Sequence, residues 1–173
     1  PLEPMTCVAH VRPDGCDLWV GTQVPVFAQQ TAASITGLKP EQVVVHNQLI
    51  GGAFGRRLDY DFIAQAVAIA RQVSYPIKLI WSREEDMTHD MYRPRYVDRM
   101  TAAIGDDGYP AGWRHRIAGG SIIARYLGGL PDNGVDFDAV EIAVDPVYHL
   151  DDLKVHYIRE EPEVVPISWW RGV

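Results

Sequence analysis

The sequence predicts an α+β fold built on a mixed sheet with helices packed on one side. Three observations carry that prediction. Turn residues at Pro13-Asp14-Gly15 and Asp106-Asp107-Gly108 mark two antiparallel hairpins. Helical spacing alternates with β-branched runs between residues 26 and 81. A glycine-rich loop joins one of those strands to the helix after it. Hairpins mixed with helices fit α+β better than a doubly wound parallel sheet.

The 173 residues are 47% hydrophobic and 23% charged. That fits one globular domain or two small ones, with enough apolar material for a core without crosslinks. We read residues 1–173 as a single domain with a long excursion at 119–150. A net charge of −7 argues against nucleic acid or an anionic membrane as partner, since either wants a basic face. No apolar run reaches the length of a membrane span and no signal peptide is present, so this segment makes no direct membrane insertion. A chain that starts at Pro1 without Met and stops on Trp169-Trp170-Arg171-Gly172-Val173 reads as a piece of something longer.

Residues 5–22 form the first hairpin. Cys7, Ala9 and Val11 alternate with His10 and Arg12, and Leu18 and Val20 alternate with Asp17 and Trp19, which gives one apolar face. A turn centred on Asp14-Gly15 sets Cys16 opposite Pro13 and Cys7 near Thr22. That is about six pairs, or roughly 20 Å at ~3.3 Å per residue, too far for a disulfide. Both cysteines are therefore core thiols, and two thiols leave the compartment open. The returning strand ends in Gly21-Thr22-Gln23, and Pro25 breaks it. Residues 26–35 are helical with Phe27, Gln30 and Ser34 on one face, Gly37 as C′ residue and Pro40 as stop.

Residues 41–50 form a strand that leads into Gly51-Gly52-Ala53-Phe54-Gly55-Arg56-Arg57. A second helix follows over 59–73, with Asp59 as N-cap and Phe62, Ile63, Ala66, Val67, Ile69 and Ala70 at core spacing. Pro76 opens a strand over 77–81, and residues 82–87 form a capped helical turn beyond it. The second hairpin runs 96–105, turns at 106–108 and returns through Trp113 to Ile117. Residues 119–145 are irregular, with Gly128-Gly129 and Pro131-Asp132-Asn133-Gly134. Long excursions of this kind tend to carry function or meet a partner. Residues 153–158 alternate as a final strand.

The glycine loop is the strongest candidate site. Three glycines in five residues admit positive φ and let the backbone approach another body closely. Placed between a strand and a helix, such a loop offers unpaired N–H groups to an anionic or oxo-bearing ligand, or is simply a tight turn. It lacks the Lys-Ser/Thr of a P-loop and is not G-x-G-x-x-G. Arg56-Arg57 bind a phosphate, or cover the helix start and pair with Asp59. The acids Glu84, Glu85 and Asp86 are read as ordinary helix-start residues. Six scattered histidines and two cysteines give no zinc spacing.

Gly51-Gly52-Ala53-Phe54-Gly55-Arg56-Arg57 followed by Asp61-Phe62 resembles the signature loop of the molybdenum hydroxylases, the xanthine dehydrogenase and aldehyde oxidase family. The double-arginine form is similar to the branch with isoquinoline 1-oxidoreductase β subunits and membrane-linked aldehyde dehydrogenase large subunits. Leu2-Glu3-Pro4-Met5, Gly21-Thr22-Gln23-Val24-Pro25, Pro76-Ile77-Lys78-Leu79, Arg83-Glu84-Glu85-Asp86-Met87 and Trp170-Arg171-Gly172-Val173 agree in order, so the resemblance spans nearly the whole chain. It implies part of the molybdopterin-binding catalytic subunit of such an enzyme.

The resemblance assigns roles residue by residue. Gln23 is to sit beside the metal and hydrogen-bond an oxo or water ligand. Phe54 is to reach that oxygen ligand through its backbone, with Gly51, Gly52, Ala53, Gly55 and Arg56 completing the cofactor loop. Arg171 is to border the cofactor from another side. Leu58 stands where purine-oxidising members carry a glutamate, which favours an aldehyde or a more apolar N-heterocycle. Ala53 replaces a glycine and requires a negative φ.

The implied reaction hydroxylates an electron-poor carbon with water as oxygen source. The cofactor is molybdenum–molybdopterin, in the cytosine dinucleotide form, with 2Fe-2S clusters on a small partner subunit taking the electrons. The remainder of the catalytic subunit supplies the catalytic base, so this chain contains no catalytic residue and is inactive alone. The rival reading is a non-catalytic protein-binding module whose glycine loop is only a turn.

Overall fold

The computed structural model of the protein describes residues 1–172; Val173, the last residue of the Trp170-to-Val173 segment, lies outside the described residues. Contacts group the chain into two compact units, Pro1–Asp90 and the residues from Met91 onward. Each unit has its own sheet and its own helices to cover it.

The first unit holds a four-stranded mixed sheet in the order β3-β2-β1-β4. Strand β1 (Thr6–Arg12) runs antiparallel to β2 (Gly15–Val20) and to β4 (Ile77–Ile80), while β2 and β3 (Val43–Asn47) are parallel. Parallel neighbours need a crossover. Helix α1 (Pro25–Thr36) provides it, and α2 (Asp61–Ala70) carries the chain from β3 to β4. Both helices cover the same face and touch each other. Under them lie Met5, Cys7, Ala9, Leu18, Val20, Phe62, Ile63 and Val67, all buried. Each large side chain there contributes ~1.5–3 kcal/mol of apolar burial. On the opposite face Asp17 accepts from Arg12 at 2.5 Å and pairs with His46 at 2.8 Å, and Trp19 stacks on His46.

Several local expectations are corrected. The first turn centres on Pro13-Asp14, since Arg12 pairs with Gly15. Gly15 is held against the next strand, where a Cβ would lie 3.1 Å from the Gln42 carbonyl. The ladder therefore pairs Cys7 with Val20 and Cys16 with Val11. Both cysteines are free and buried, and both lie on the core face. Helix α1 buries Ala28, Ala32 and Ala33 rather than Gln30 and Ser34, which are exposed. Small side chains let α1 approach α2 and the sheet, so the closest contact is made by alanines. Strand β3 is shorter than the 41–50 expected, with a single 3₁₀ turn over Pro40–Gln42 before it. Helix α2 starts at Asp61 after Tyr60, without a side-chain cap, so Asp59 is not its N-cap. Ile69 is 42% exposed, on the outer side of that helix. Helix α3 (Arg83–Thr88) is capped by Ser82, whose hydroxyl accepts from Glu85 N, as the sequence predicts.

The second unit holds a three-stranded sheet in the order β5-β6-β7. Strands β5 (Tyr96–Ile104) and β6 (Pro110–Gly119) form the expected hairpin, and β7 (Leu153–Arg159) runs parallel to β6. The expected irregular excursion is instead two short helices, α4 (Ile122–Leu127) and α5 (Phe137–Val144), which make the crossover from β6 to β7. One buried carboxylate organises both. Asp136 accepts from Asp138 N and Ala139 N, capping α5. It also accepts from Ile123 N and from the Ser121 hydroxyl at 2.6 Å. Ser121 in turn accepts from Ala124 N and caps α4. Ile117, Ile122, Ile123, Val140 and Ile167 are buried with them.

Candidate functional site

In the first unit β2, β3 and β4 all point the same way, so their carboxyl ends open at one edge of the sheet. Ligand sites in α/β sheets form outside such ends. Gln23 follows β2 and the glycine loop follows β3.

The loop takes its shape from three left-handed residues. Gly52 has φ 101°, Phe54 has φ 53° and Gly55 has φ 97°. Gly52 admits no side chain, because a Cβ would meet the Phe54 ring at 3.0 Å as well as the wrong φ. Phe54 is the unusual member. A non-glycine residue in this region costs roughly 1–2 kcal/mol, and Phe54 is 44% exposed, so strain is held at the loop's tip. Ala53 is absent from the positive-φ residues, which meets the condition its methyl group imposed. A single 3₁₀ turn over Arg56–Leu58 closes the loop, with Gly55 as its cap residue. The N-terminus of α2 is thus set back from the glycines.

Gln23 meets this loop. Its Oε1 accepts from Gly55 N at 3.2 Å. Its backbone N donates to the Arg57 carbonyl at 3.1 Å, as does the Thr22 hydroxyl at 3.1 Å. With the oxygen end of the amide committed to Gly55, the Nε2 end is the side chain's donor. Gln23 itself is exposed. Leu58 ends the 3₁₀ turn half-buried, its N–H donating to the Gly55 carbonyl.

The two arginines do not behave alike. Arg56 is 1% exposed and reaches Asp61 through two parallel bonds of 3.0 and 2.9 Å, with Asp90 on its Nε. Burial alone draws its pKa down, but the Asp61 hydrogen bonds and the charges of Asp61 and Asp90 carry it above the ordinary value. The Arg56 guanidinium is thus held by the carboxylates of Asp61 and Asp90. Arg57 is equally buried. It donates to main-chain carbonyls, and burial pulls its pKa down against the charge of Glu3.

Glu3 is a contributor that the sequence did not single out. Its carboxylate accepts from Gly51 N at 2.5 Å and lies 3.3 Å from Arg57. Gly51 is required here by space alone, since a Cβ would fall 2.5 Å from the Glu3 carboxylate. The only sequence signal was Leu2-Glu3-Pro4-Met5 standing before the first strand.

Arg171 belongs to the second unit. It is left-handed, φ 58°, followed by Gly172 at φ 120°. Its segment is anchored within that unit. Trp169 Nε1 donates to Asp138 at 2.7 Å, and Arg125 Nε donates to the Ile167 carbonyl at 2.6 Å. Arg171 also lines an open cavity of about 1620 Å³ with Tyr96, Trp113, His115, Ile142 and Leu153. His115 is paired there with Asp98 at 2.7 Å. The structure thus brings Gln23 and residues 51–58 together and places Arg171 in the other unit. Among the described residues no cluster of three His, Cys, Asp or Glu side chains is arranged to hold a metal, and no helix is long and apolar enough to cross a membrane.

A glycine-lined, left-handed loop facing a fixed glutamine amide at the strand ends defines a cofactor-binding domain, and comparison says which. The chain belongs to the molybdopterin cofactor-binding domain family, whose model matches residues 1–158. The isoquinoline 1-oxidoreductase subunit beta of Brevundimonas diminuta is 38% identical over 127 residues, covering 72% of this chain and 16% of that protein. The membrane-bound aldehyde dehydrogenase (pyrroloquinoline-quinone) of Gluconacetobacter polyoxogenes is 26% identical over 184 residues, covering 99% and 23%. Quinoline 2-oxidoreductase from Pseudomonas putida 86 shares the fold with a TM-score of 0.79 at 19% identity, covering 100% of this chain and 22% of that one. Aldehyde oxidoreductase from Desulfovibrio gigas gives 0.80 at 19%, covering 99% and 18%. The chain spans less than a quarter of the length of each of these relatives.

The residues present fit that cofactor. The loop presents peptide groups with no Cβ at Gly52 or Gly55 to hold a ligand off, and Gln23 adds an amide donor. Neutral donors of this kind suit oxygen ligands carrying partial negative charge.

Proposed function

We propose that the chain is the first molybdopterin-binding part of the catalytic subunit of an oxidoreductase that hydroxylates an aldehyde or an N-heterocyclic carbon, with water as oxygen source. The bound molybdenum centre supplies the two-electron redox chemistry. The protein's own share is positional. Gln23 Nε2 and the amides of the loop around Phe54 orient the oxygen ligands, and the tight turn at Gly52 keeps that approach open. Leu58 lines the substrate side and offers no acceptor to a purine ring, which favours less polar substrates. The pterin is taken in its cytosine dinucleotide form, and electrons pass to 2Fe-2S clusters on a small partner subunit. The catalytic base comes from the remainder of the catalytic subunit.

The observation that carries this reading is the 3.2 Å bond from Gly55 N to Gln23 Oε1, which presents loop and amide as one surface. The full-length protein from molybdenum-replete cells should contain about one molybdenum per subunit, and Gln23→Ala should lower turnover ~10²-fold without unfolding it, the size of losing one oxyanion donor. The 173-residue chain alone should show no substrate-dependent dye reduction. A metal-free full-length product would instead favour a non-catalytic protein-binding module.

A further inference from the structure

The Arg57 guanidinium sits among four main-chain carbonyls from three segments. Nε donates to Gly52 O at 3.0 Å in the glycine loop, and Nη1 donates to Gly21 O at 3.1 Å beyond β2. Nη2 reaches Glu3 O and Pro4 O, both at 3.3 Å, ahead of β1. The Arg57 carbonyl accepts from the Thr22 hydroxyl and from Gln23 N. One residue therefore grips both sides of the Gln23–Gly55 contact, once by its side chain and once by its backbone. Only a planar fork with five donors reaches three segments at once; a lysine offers three donors from a single point.

We propose that Arg57 is a positioning residue for the cofactor-facing pair Gln23 and Gly55. It sets their separation while touching no ligand itself. This rests on the proposed function, since the pair matters only if a cofactor meets it. A merely structural arginine would change stability; a positioning one acts through Gln23.

The test uses the full-length protein with its partner subunits. Arg57→Lys should keep at least half of the wild-type molybdenum per folded protein. With isoquinoline or benzaldehyde and a dye acceptor, kcat should fall ~10-fold with little change in KM, as expected for a small misplacement. The molybdenum-edge X-ray absorption spectrum should shift. In a Gln23→Ala background the same substitution should add less than about 2-fold, because both act on one contact. Thr22→Val removes one bond to the Arg57 carbonyl at nearly constant volume. It should reproduce the spectral shift in smaller measure, including where Arg57→Lys does not fold. A lowered Tm with unchanged kcat and spectrum per bound molybdenum overturns the proposal, as do independent, multiplying effects of the two substitutions. A wild-type protein that holds no molybdenum overturns the proposed function as well, so the two failures are told apart.

Discussion

Gly51→Ala adds one methyl group to a residue whose φ lies outside the left-handed range. The new Cβ would lie 2.5 Å from the Glu3 carboxylate oxygen, 2.7 Å from Glu3 Cβ and 3.2 Å from Glu3 Cδ. The first of these atoms is the end of a flexible chain and swings away easily. Glu3 Cβ does not, so the backbone before β1 must shift. Overpacking of this kind costs ~1–3 kcal/mol. The Gly51 N–Glu3 bond is lost with it, though Glu3 is 41% exposed and water replaces much of that contact. The expected loss is about 2 kcal/mol, or a Tm lower by about 4–8 °C for a chain of this size. Urea and thermal unfolding of the 173-residue chain read it directly. The three nearest contacts are all with Glu3, so Glu3→Gly should abolish most of the penalty in a double-mutant cycle. Undiminished stability in Gly51→Ala, or the same loss in the Glu3→Gly background, would refute the steric account of why this position is glycine.

Asp136→Ala strands the Ser121 hydroxyl and the N–H groups of Ile123, Asp138 and Ala139. It should destabilise the second unit by ~3 kcal/mol in urea titration, a lost cap plus unsatisfied donors, with Asp136→Asn costing less. Asp17 is held below the usual carboxylate range by hydrogen bonds from His46 and then Arg12. A depressed folded value gives stability that is present above the unfolded value and lost as pH falls through the folded one. Asp17→Asn should therefore lower stability at neutral pH and flatten the acid limb of the stability curve below about pH 4. Burial pushes the Cys7 thiol up to about 12 and the Cys16 thiol up to about 11. At pH 8 neither should react with Ellman's reagent until urea unfolds the chain, when both should.

The α+β class, the two hairpins and the glycine loop were legible because each rests on local chemistry. Alternation, turn residues and positive-φ glycines act over a few residues, and Gly37, Ser82 and Gly55 take the roles their positions predict. What was missed depends on distant groups. Pro13-Asp14 and Asp14-Gly15 are both good turn pairs, and contact with Gln42 goes with the observed choice. Periodicity gives weight to bulky residues, so it overlooked the alanine face of α1. The partners of Arg56 lie at Asp61 and Asp90, the latter 34 positions on, and no spacing rule reaches that far. The helices α4 and α5 have six and eight residues. Such short helices are set by a shared carboxylate and by packing more than by propensity. Gln23 was named only through the resemblance to a family, and the contacts of Glu3 and Arg57 became visible only in the structure.

Arg57 holds peptide carbonyls, and every residue type supplies one. Apart from the Glu3 carboxylate 3.3 Å away, its grip is on the peptide groups at positions 3, 4, 21 and 52 rather than on their side chains. Frame and lining are separated as a result. Side chains outside that set of carbonyls can be exchanged without loosening the frame that aligns the amides. The arginine would tolerate little change, because no other side chain satisfies so many carbonyls from one buried place.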